Sequence, residues 1–389
     1  MLNPTILVVG GGLTGAAVGR ALCRSLPSES VVVWEAANGI GGRFATERPT
    51  SGGACDTGAQ YMTVTDDAAV ASANSGLYDE LKADGTIAPL VGRIQGGRAA
   101  DGTGTNFVAP GGLSSVVAKL FSACGIMPEC SRRAISLRRT LQDDGTADVA
   151  KAGCWEVVTE CGRTERFDAV VLTQPVPEML QLLDGGEGEA GRWLEASGAE
   201  LTRDDLSALQ YSSRYALSLF FEPSSAGSFA SNIDWVARYI NKEEDDALVY
   251  LAHDSAKRKA ETQAADPVSL IAHTSVPYGL KHLKAATDDE VVKDDLTQRV
   301  RKLLPWLPEA QHSVLRTWTI SQVRTPLTLP AGASCWRLAP PGSAGGDGTV
   351  VAPPLILAGD AFSPLGSRFD GCVQSGEAAA RELLAAFGR

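Results

Sequence analysis

The sequence has eight cysteines, at 23, 55, 124, 130, 154, 161, 335 and 372, and no two of them form a C-x-x-C pair. Its four histidines, at 253, 273, 282 and 312, are scattered. Neither residue type has the spacing of a zinc site, so no metal is expected. Free, mostly buried thiols are the default reading for such cysteines in a reducing compartment. No G-x-S-x-G elbow occurs, and no cluster of acids and bases stands out. No apolar stretch reaches 18 residues, which excludes a bilayer-spanning helix. Positive charge is in deficit: the net charge of −11 argues against a nucleic-acid or anionic-membrane partner. No Arg/Ser-rich extension precedes the first apolar run. The expected location is intracellular and soluble, with secretion or organelle import as the alternative. What is present is globular, with 44% hydrophobic and 21% charged residues. A length of 389 residues exceeds one ordinary core and predicts two domains. A chain without its own nucleophile or acid–base machinery points to redox chemistry on a resident cofactor.

The N-terminal stretch ILVVGGGLTGAAVGRAL, Ile6 to Leu22, supplies the site for one. Ile6 to Val9 form an apolar run short enough to be a buried parallel strand. Gly10, Gly12 and Gly15 fit G-x-G-x-x-G: a tight turn, a close approach to pyrophosphate, and close packing of helix on strand. The N-terminus of the helix that follows offers unpaired N–H groups to phosphate, and Thr14 adds a hydroxyl. Val31 to Trp34 read as a second buried strand ending in Glu35. That acid stands where a carboxylate accepts hydrogen bonds from the adenosine ribose.

A second glycine cluster decides which dinucleotide. NGIGGRFAT ends in Gly41, Gly42 and Arg43, a feature that a nicotinamide dehydrogenase does not need here. A longer cofactor does need it, because its pyrophosphate and ribityl chain run past the first turn. Arg43 can bond phosphate or flavin-edge oxygens in fork geometry. CDTGAQYM then sets small residues beside Gln60 and Tyr61, a wall for a flat ring. Near the C-terminus, LILAGDAF is a strand ending at Gly359-Asp360, and Asp360 can accept from ribityl hydroxyls. A helix expected to begin at about Cys372 places its N-terminus, Gly371 to Val373, to stabilise negative charge on a reduced ring. Together these motifs identify the cofactor as FAD. Cys372 raises the question of a thioether link; its context differs from that of a covalent attachment cysteine, so FAD is expected to be noncovalent.

Between the motifs the chain changes character. Ala68 to Ala100 reads as helix followed by a polar, glycine-rich stretch. Leu113, Val116, Val117 and Leu120 make one side of an amphipathic helix. AISLRRT, CWEVVTE and DAVVLTQPVP read as strands, the last two flanking a turn at Cys161–Arg163 as a hairpin, with DAVVLT also returning to the cofactor sheet. Residues 184–191, DGGEGEAG, read as a solvated boundary loop. YALSLFFE, DALVYLAHD and VSLIAHTSVP read as strands of a separate sheet, and VVKDDLTQRVRKLLPWL as an amphipathic helix. No second dinucleotide turn occurs there, so any nicotinamide would bind as a substrate. The expected division is a discontinuous FAD-binding domain, residues 1–66, 105–183 and 335–389, and a substrate domain, residues 67–104 and 184–334.

The motifs GGGLTG, WEAANGIGGRFAT, DTGAQY, NFVAPGGLSS, VVLTQPVPE, YSSRYALSLFFE, IAHTSVPYG, WTISQV and GDAFSPLGSRFDGC follow one another in an order that resembles the renalase family. The resemblance runs from residue 5 to about residue 385. It implies an α/β fold: a Rossmann-like FAD-binding domain of the para-hydroxybenzoate hydroxylase and amine oxidase type, with a second, α+β substrate domain. It implies oxidation of 2- and 6-dihydro isomers of NAD(P) to β-NAD(P)+, with oxygen reduced to hydrogen peroxide. Thr14, Arg43, Gln60 and Tyr61 are the FAD contacts it carries over. On the substrate side the candidates are His273, Tyr61 and Trp318, each with the alternative of a packing role, as has Tyr215. The chain departs from the animal form in a glycine-rich insert around Ala339 to Val350, and in Trp318-Thr319-Ile320 before Ser321-Gln322. Two other functions share the cofactor motifs: oxidation of a monoamine or polyamine, and a non-enzymatic, FAD-containing signalling protein. An amine pocket commonly has two parallel aromatic rings, and aromatics are only 6% of this chain.

Overall fold

The computed structural model describes residues 3–65, 67–96, 105–140, 153–186, 188–196, 201–258, 267–341 and 352–389. Two compact units divide the chain. The first is Met1–Gly42, Val117–Gln210 and Val323–Arg389, and the second is Arg43–Val116 and Tyr211–Gln322.

In the first unit the strand Ile6–Val9 lies between Ala169–Leu172 and Val31–Trp34, parallel to both. All four of its residues are buried, as expected of a strand covered on both faces. Leu355–Leu357 extends the sheet in parallel beyond Ala169–Leu172, and Trp336–Arg337 closes that edge antiparallel. The helix Leu13–Leu22 follows the first strand and packs on the C-terminal helix Phe369–Ala386. Small residues permit the approach: a Cβ on Gly376 would press on Ala17 Cβ and the Thr14 carbonyl. A smaller antiparallel sheet is built from Ala134–Thr140, Cys154–Thr159 and Thr164–Phe167.

In the second unit six strands form one sheet, in the order His312–Trp318, Arg214–Phe221, Val268–Thr274, Leu248–His253, Trp235–Tyr239 and Arg93–Gln95. Arg214–Phe221 sends alternate residues to opposite faces. Tyr215, Leu217, Leu219 and Phe221 join an apolar cluster with Val292, Leu296 and Val300 of the helix Asp289–Leu303. Ala216 and Phe220 face the other way, with Cys55, Tyr250 and Ile271. Tyr215 is therefore a core residue. Among the described residues no helix is long and apolar enough to cross a membrane.

Several boundaries fall elsewhere than the sequence predicts. The first unit ends at Gly42, not 66, because residues 43–65 pair with their own unit: Thr46–Glu47 with Cys55–Asp56, and Met62–Thr63 with Asn106–Val108. Residues 105–116 likewise lie in the second unit, not in the first. The later expected boundary at 183/184 moves to Gln210, since the helices Glu189–Ala196 and Arg203–Ser207 pack against Val176–Leu183. That first helix also occupies part of the expected loop at 184–191. The boundary at 334/335 moves to Gln322. The partner of Cys154–Thr159 in the hairpin is Thr164–Phe167, while Ala169–Leu172 belongs to the parallel sheet. The C-terminal helix begins at Phe369, three residues before Cys372. Its first-turn N–H groups are thus those of Phe369, Asp370 and Gly371, and Val373 is already inside the helix. Of the glycine-rich insert, residues 342–350 lie outside the described residues.

Candidate functional site

The glycines of the first turn are each placed by a different constraint. Gly10 has φ +115°, a conformation that L side chains rarely adopt. A Cβ on Gly15 would overlap the Gly10 carbonyl oxygen, so the third glycine sets how closely helix meets strand. Gly12 differs: a Cβ there would meet no atom within 4 Å. Its missing side chain relieves no contact with protein, and what it leaves is room for a ligand. Gly41 N donates to the Gly11 carbonyl at 2.9 Å, which lays the second glycine cluster against the first. Gly42, at φ +54°, lies where a Cβ would be 3.4 Å from Gly12 Cα. Glu35 Oε2 accepts from Gly11 N at 2.7 Å, and Oε1 from Ala37 N at 2.7 Å. Thr14 is buried in the first turn of the helix.

The C-terminal elements meet the same turn through the segment at 173–174. Thr173 Oγ1 donates to Val9 O at 2.8 Å and lies 2.6 Å from where a Gly10 Cβ would be. Gly359, at φ +145°, faces the carbonyls of Thr173 and Gln174 from the other side. Gln174 Oε1 is buried without a hydrogen-bond partner among the described residues. Asp360 is buried, and its Oδ2 accepts from Ser367 Oγ at 2.6 Å. A Cβ on Gly371 would press on the Gly366 carbonyl. Val373 is buried among the residues of its helix. An open cradle at Gly12, an orphaned amide oxygen and a helix N-terminus suit an extended, phosphate-bearing cofactor.

The second unit holds a buried polar chain. Gln60 Nε2 donates to Asp56 O at 2.6 Å and to Gly58 O at 3.2 Å, and lies 3.2 Å from His273 Nε2. Gln60 Oε1 accepts from Lys257 Nζ at 2.9 Å. Lys257 is fully buried and pairs with Asp254 at 2.8 Å, while Arg258 Nε donates to the other Asp254 oxygen at 2.8 Å. Asp56 takes hydrogen bonds on Oδ1 from Thr46 Oγ1 and Leu113 N. Its Oδ2 has no hydrogen-bond partner among the described residues. Burial and the charge of Asp254 push the Asp56 carboxyl up; burial also opposes ionisation of Asp254, but Lys257 and Arg258 hold it down. Tyr61 OH shares a 2.6 Å hydrogen bond with Tyr239 OH. The Tyr239 and Tyr250 rings meet edge-on at 69°, and Tyr250 in turn meets His273. Trp318 Nε1 donates to Thr57 O at 2.8 Å, and Arg43 Nη1 to Ser321 O at 3.1 Å. Arg43, Gln60, Tyr61, His273 and Trp318 are therefore gathered on one unit. Asp56, Asp254, Lys257, Tyr239 and Tyr250 were not singled out by the sequence reading. The signal for two of them was the i, i+3 spacing in HDSAKRKA, which also describes a solvated helix.

His273 is half-buried, and burial with the charges of Arg214 and Lys257 lowers its pKa to about 3. The sign follows directly. Between that value and the ordinary 6.5 the unfolded chain binds a proton that the folded one does not. Stability from this group is complete above pH 6.5 and is lost as pH falls toward 3. Relative to His273→Gln, the wild-type protein should lose about 1.4 kcal/mol more per pH unit across the middle of that window. Denaturant titrations at a series of pH values measure the difference, and parallel pH profiles would refute it.

An open phosphate cradle on a parallel sheet, an acid ending the second strand and a second glycine turn define a dinucleotide-binding flavoprotein. Residues 98–384 match the family of flavin containing amine oxidoreductases, and residues 8–80 match an NAD(P)-binding Rossmann-like domain. Renalase of Mus musculus is 31% identical over 373 residues, which cover 95% of this chain and 96% of that protein. The chain belongs to the renalase family within the flavin-containing amine oxidoreductases. It is an FAD-dependent oxidoreductase. A solved structure described as a protoporphyrinogen oxidase, from Exiguobacterium sp. 255-15, shares the fold at a TM-score of 0.65 over 100% of both chains, at 14% identity.

Proposed function

We propose that this protein oxidises 2- and 6-dihydro isomers of NAD(P) to β-NAD(P)+, with oxygen as the final acceptor and hydrogen peroxide as its product. Bound FAD supplies the two-electron chemistry, accepting hydride from substrate and passing electrons to oxygen. Gly10, Gly12, Thr14, Gly15, Glu35 and Gly42 serve its nucleotide half, together with Asp360 and the helix turn at Gly371 and Val373. Arg43, Gln60 and Tyr61 are the further residues proposed to contact it, and His273, Tyr61 and Trp318 those proposed on the substrate side. The observation that most supports this chemistry is the state of His273. Its Nε2 lies 3.2 Å from Gln60 Nε2, and burial with the charges of Arg214 and Lys257 lowers its pKa to about 3, so it is a poor base. A dihydropyridine carbon releases hydride without deprotonation, so such a site suffices. An amine must first lose a proton.

Anaerobic mixing with 2- or 6-dihydro NAD(P) should remove the yellow flavin absorbance quickly and with weak pH dependence. Admitting oxygen should restore the colour, with one peroxide per turnover. Ordinary 4-dihydro NAD(P)H should react poorly, because its hydride-bearing carbon would be misplaced over the ring. Rapid loss of colour with a monoamine or polyamine, and none with the isomers, would replace this reading with amine oxidation.

Glu35 gives a second test of the cofactor assignment. Its carboxylate braces Gly11 and Ala37 and keeps lone pairs for the adenosine ribose, so Glu35→Ala should remove charge-assisted bonds to the cofactor worth roughly 1.5–3 kcal/mol. FAD affinity should fall by about one to two orders of magnitude. An unchanged dissociation constant in a fluorescence titration would show that this acid serves only the local backbone.

A further inference from the structure

We propose that Lys257 is a positioning residue: through Gln60 it holds His273 as the Nδ1–H tautomer, with Nε2 a bare acceptor. The inference rests on the reading of His273 as a substrate-side residue. The Gln60 amide has only one satisfactory orientation. Lys257 Nζ can only donate, and it lies 2.9 Å from Oε1. The carbonyls of Asp56 and Gly58 can only accept, and they lie 2.6 and 3.2 Å from Nε2. Rotating the amide by half a turn would set its NH2 against the ammonium and its oxygen against two carbonyl oxygens. Three contacts would become repulsive together. With the amide fixed, its NH2 shares two N–H bonds among the two carbonyls and His273 Nε2 at 3.2 Å, and it has no lone pair to accept a proton from that ring nitrogen.

Lys257 in turn has little freedom. It is fully buried, and Asp254 takes its charge at 2.8 Å, with Asp56 Oδ2 at 3.8 Å. Asp254 is itself fixed by Arg258 Nε at 2.8 Å. The groups acting on the imidazole are therefore Gln60, the cations Arg214 and Lys257, the anion Asp254, and the Tyr250 ring. A buried ion pair is weak evidence of stabilisation, since well-packed apolar residues often serve as well. Here the ammonium has a second use, as a donor that orients Gln60 through its oxygen. Hydride transfer beside a histidine with no proton at Nε2 would keep the substrate ring from being protonated there.

The test is nitrogen NMR of the holoenzyme labelled at histidine, with His273 assigned by substitution. Wild-type His273 should show a protonated Nδ1 and an unprotonated Nε2 throughout pH 5–8, where an ordinary histidine titrates. In Lys257→Met the amide loses its anchor, so His273 should populate Nε2–H and its midpoint should move up toward that window. Gln60→Glu keeps the shape and accepts from Lys257 but cannot donate. It should convert His273 to Nε2–H even if the lysine variant does not fold. An Nε2–H tautomer in the wild-type protein would overturn the proposal, as would an Nδ1–H tautomer retained in Gln60→Glu, or in a folded Lys257→Met. None of these spectra requires a substrate, so a wrong substrate class and a wrong role for Lys257 fail separately.

Discussion

Gly12→Ala should fold as the wild-type protein does and yet fail to retain FAD, whereas Gly15→Ala should be destabilised and lose the cofactor as well. The contrast follows from what each added methyl group would meet. At Gly15 it would overlap the Gly10 carbonyl, a backbone atom that cannot rotate aside, so the helix Leu13–Leu22 must shift off its strand. Overpacking of this kind costs about 1–3 kcal/mol in a well-packed core, and the strain falls directly on the phosphate-binding turn. At Gly12 the methyl group meets no protein atom within 4 Å, and its φ of −87° is open to alanine. Thermal stability of the apoprotein should be unchanged within about 0.5 kcal/mol. The same methyl group stands where a pyrophosphate must approach the backbone, so affinity should fall at least about 100-fold, or about 2.7 kcal/mol. Flavin absorbance after gel filtration, beside apoprotein melting curves, separates the two effects. Full retention of FAD by Gly12→Ala would show that the open space at this residue is not part of the binding cradle.

The second large effect is expected at Asp254. Replacing it with alanine leaves Lys257 and Arg258 buried without the carboxylate that both share. Removing one partner of a buried ion pair costs roughly 3–5 kcal/mol. For a body of this size, about 2–4 °C of melting temperature accompanies each kcal/mol, so a fall of roughly 10 °C should follow. Adding Lys257→Met to Asp254→Ala should recover part of the loss, since one uncompensated charge is then gone. Arg258 retains the carbonyls of Ala54 and Pro110, at 2.7 and 3.1 Å, which limits how much remains. Additive destabilisation in the double variant would mean that the ammonium and the carboxylate are not coupled.

The parts of this protein that were legible in its sequence are those where backbone geometry demands a residue type. Gly10 needs a positive φ, Gly15 must lack a Cβ, and Ile6 to Val9 must be apolar on both faces; each demand leaves a local mark. The polar chain from Asp254 to His273 left almost none. In HDSAKRKA an acid followed by three bases looks like the outer face of a helix. Asp254 and Arg258 are buried because Asp56 N, Ala54 O and Pro110 O, contributed from more than a hundred residues away, close around them. Thr164–Phe167 was missed for a related reason. Its exposed, charged alternation carries little apolar signal, although pairing with Cys154–Thr159 fixes it as a strand. Domain limits were misplaced where short segments, such as Thr46–Glu47, find their partners within a unit and not along the run of the sequence.

The sheet around Ile6–Val9 also sets an order of events during synthesis. Its strands come from the start, the middle and the last sixth of the sequence, and the helix against Leu13–Leu22 is Phe369–Ala386. Residues 43–116 and 211–322, which make the second unit, are all synthesised before Leu355–Leu357. That unit can mature on the nascent chain, while Ala169–Leu172 waits with one edge unpaired and the first helix waits uncovered. Pairings this distant close slowly and leave apolar surface exposed in the interval. The nucleotide-binding unit is then completed after the second, and uptake of the flavin must wait for the helix Phe369–Ala386.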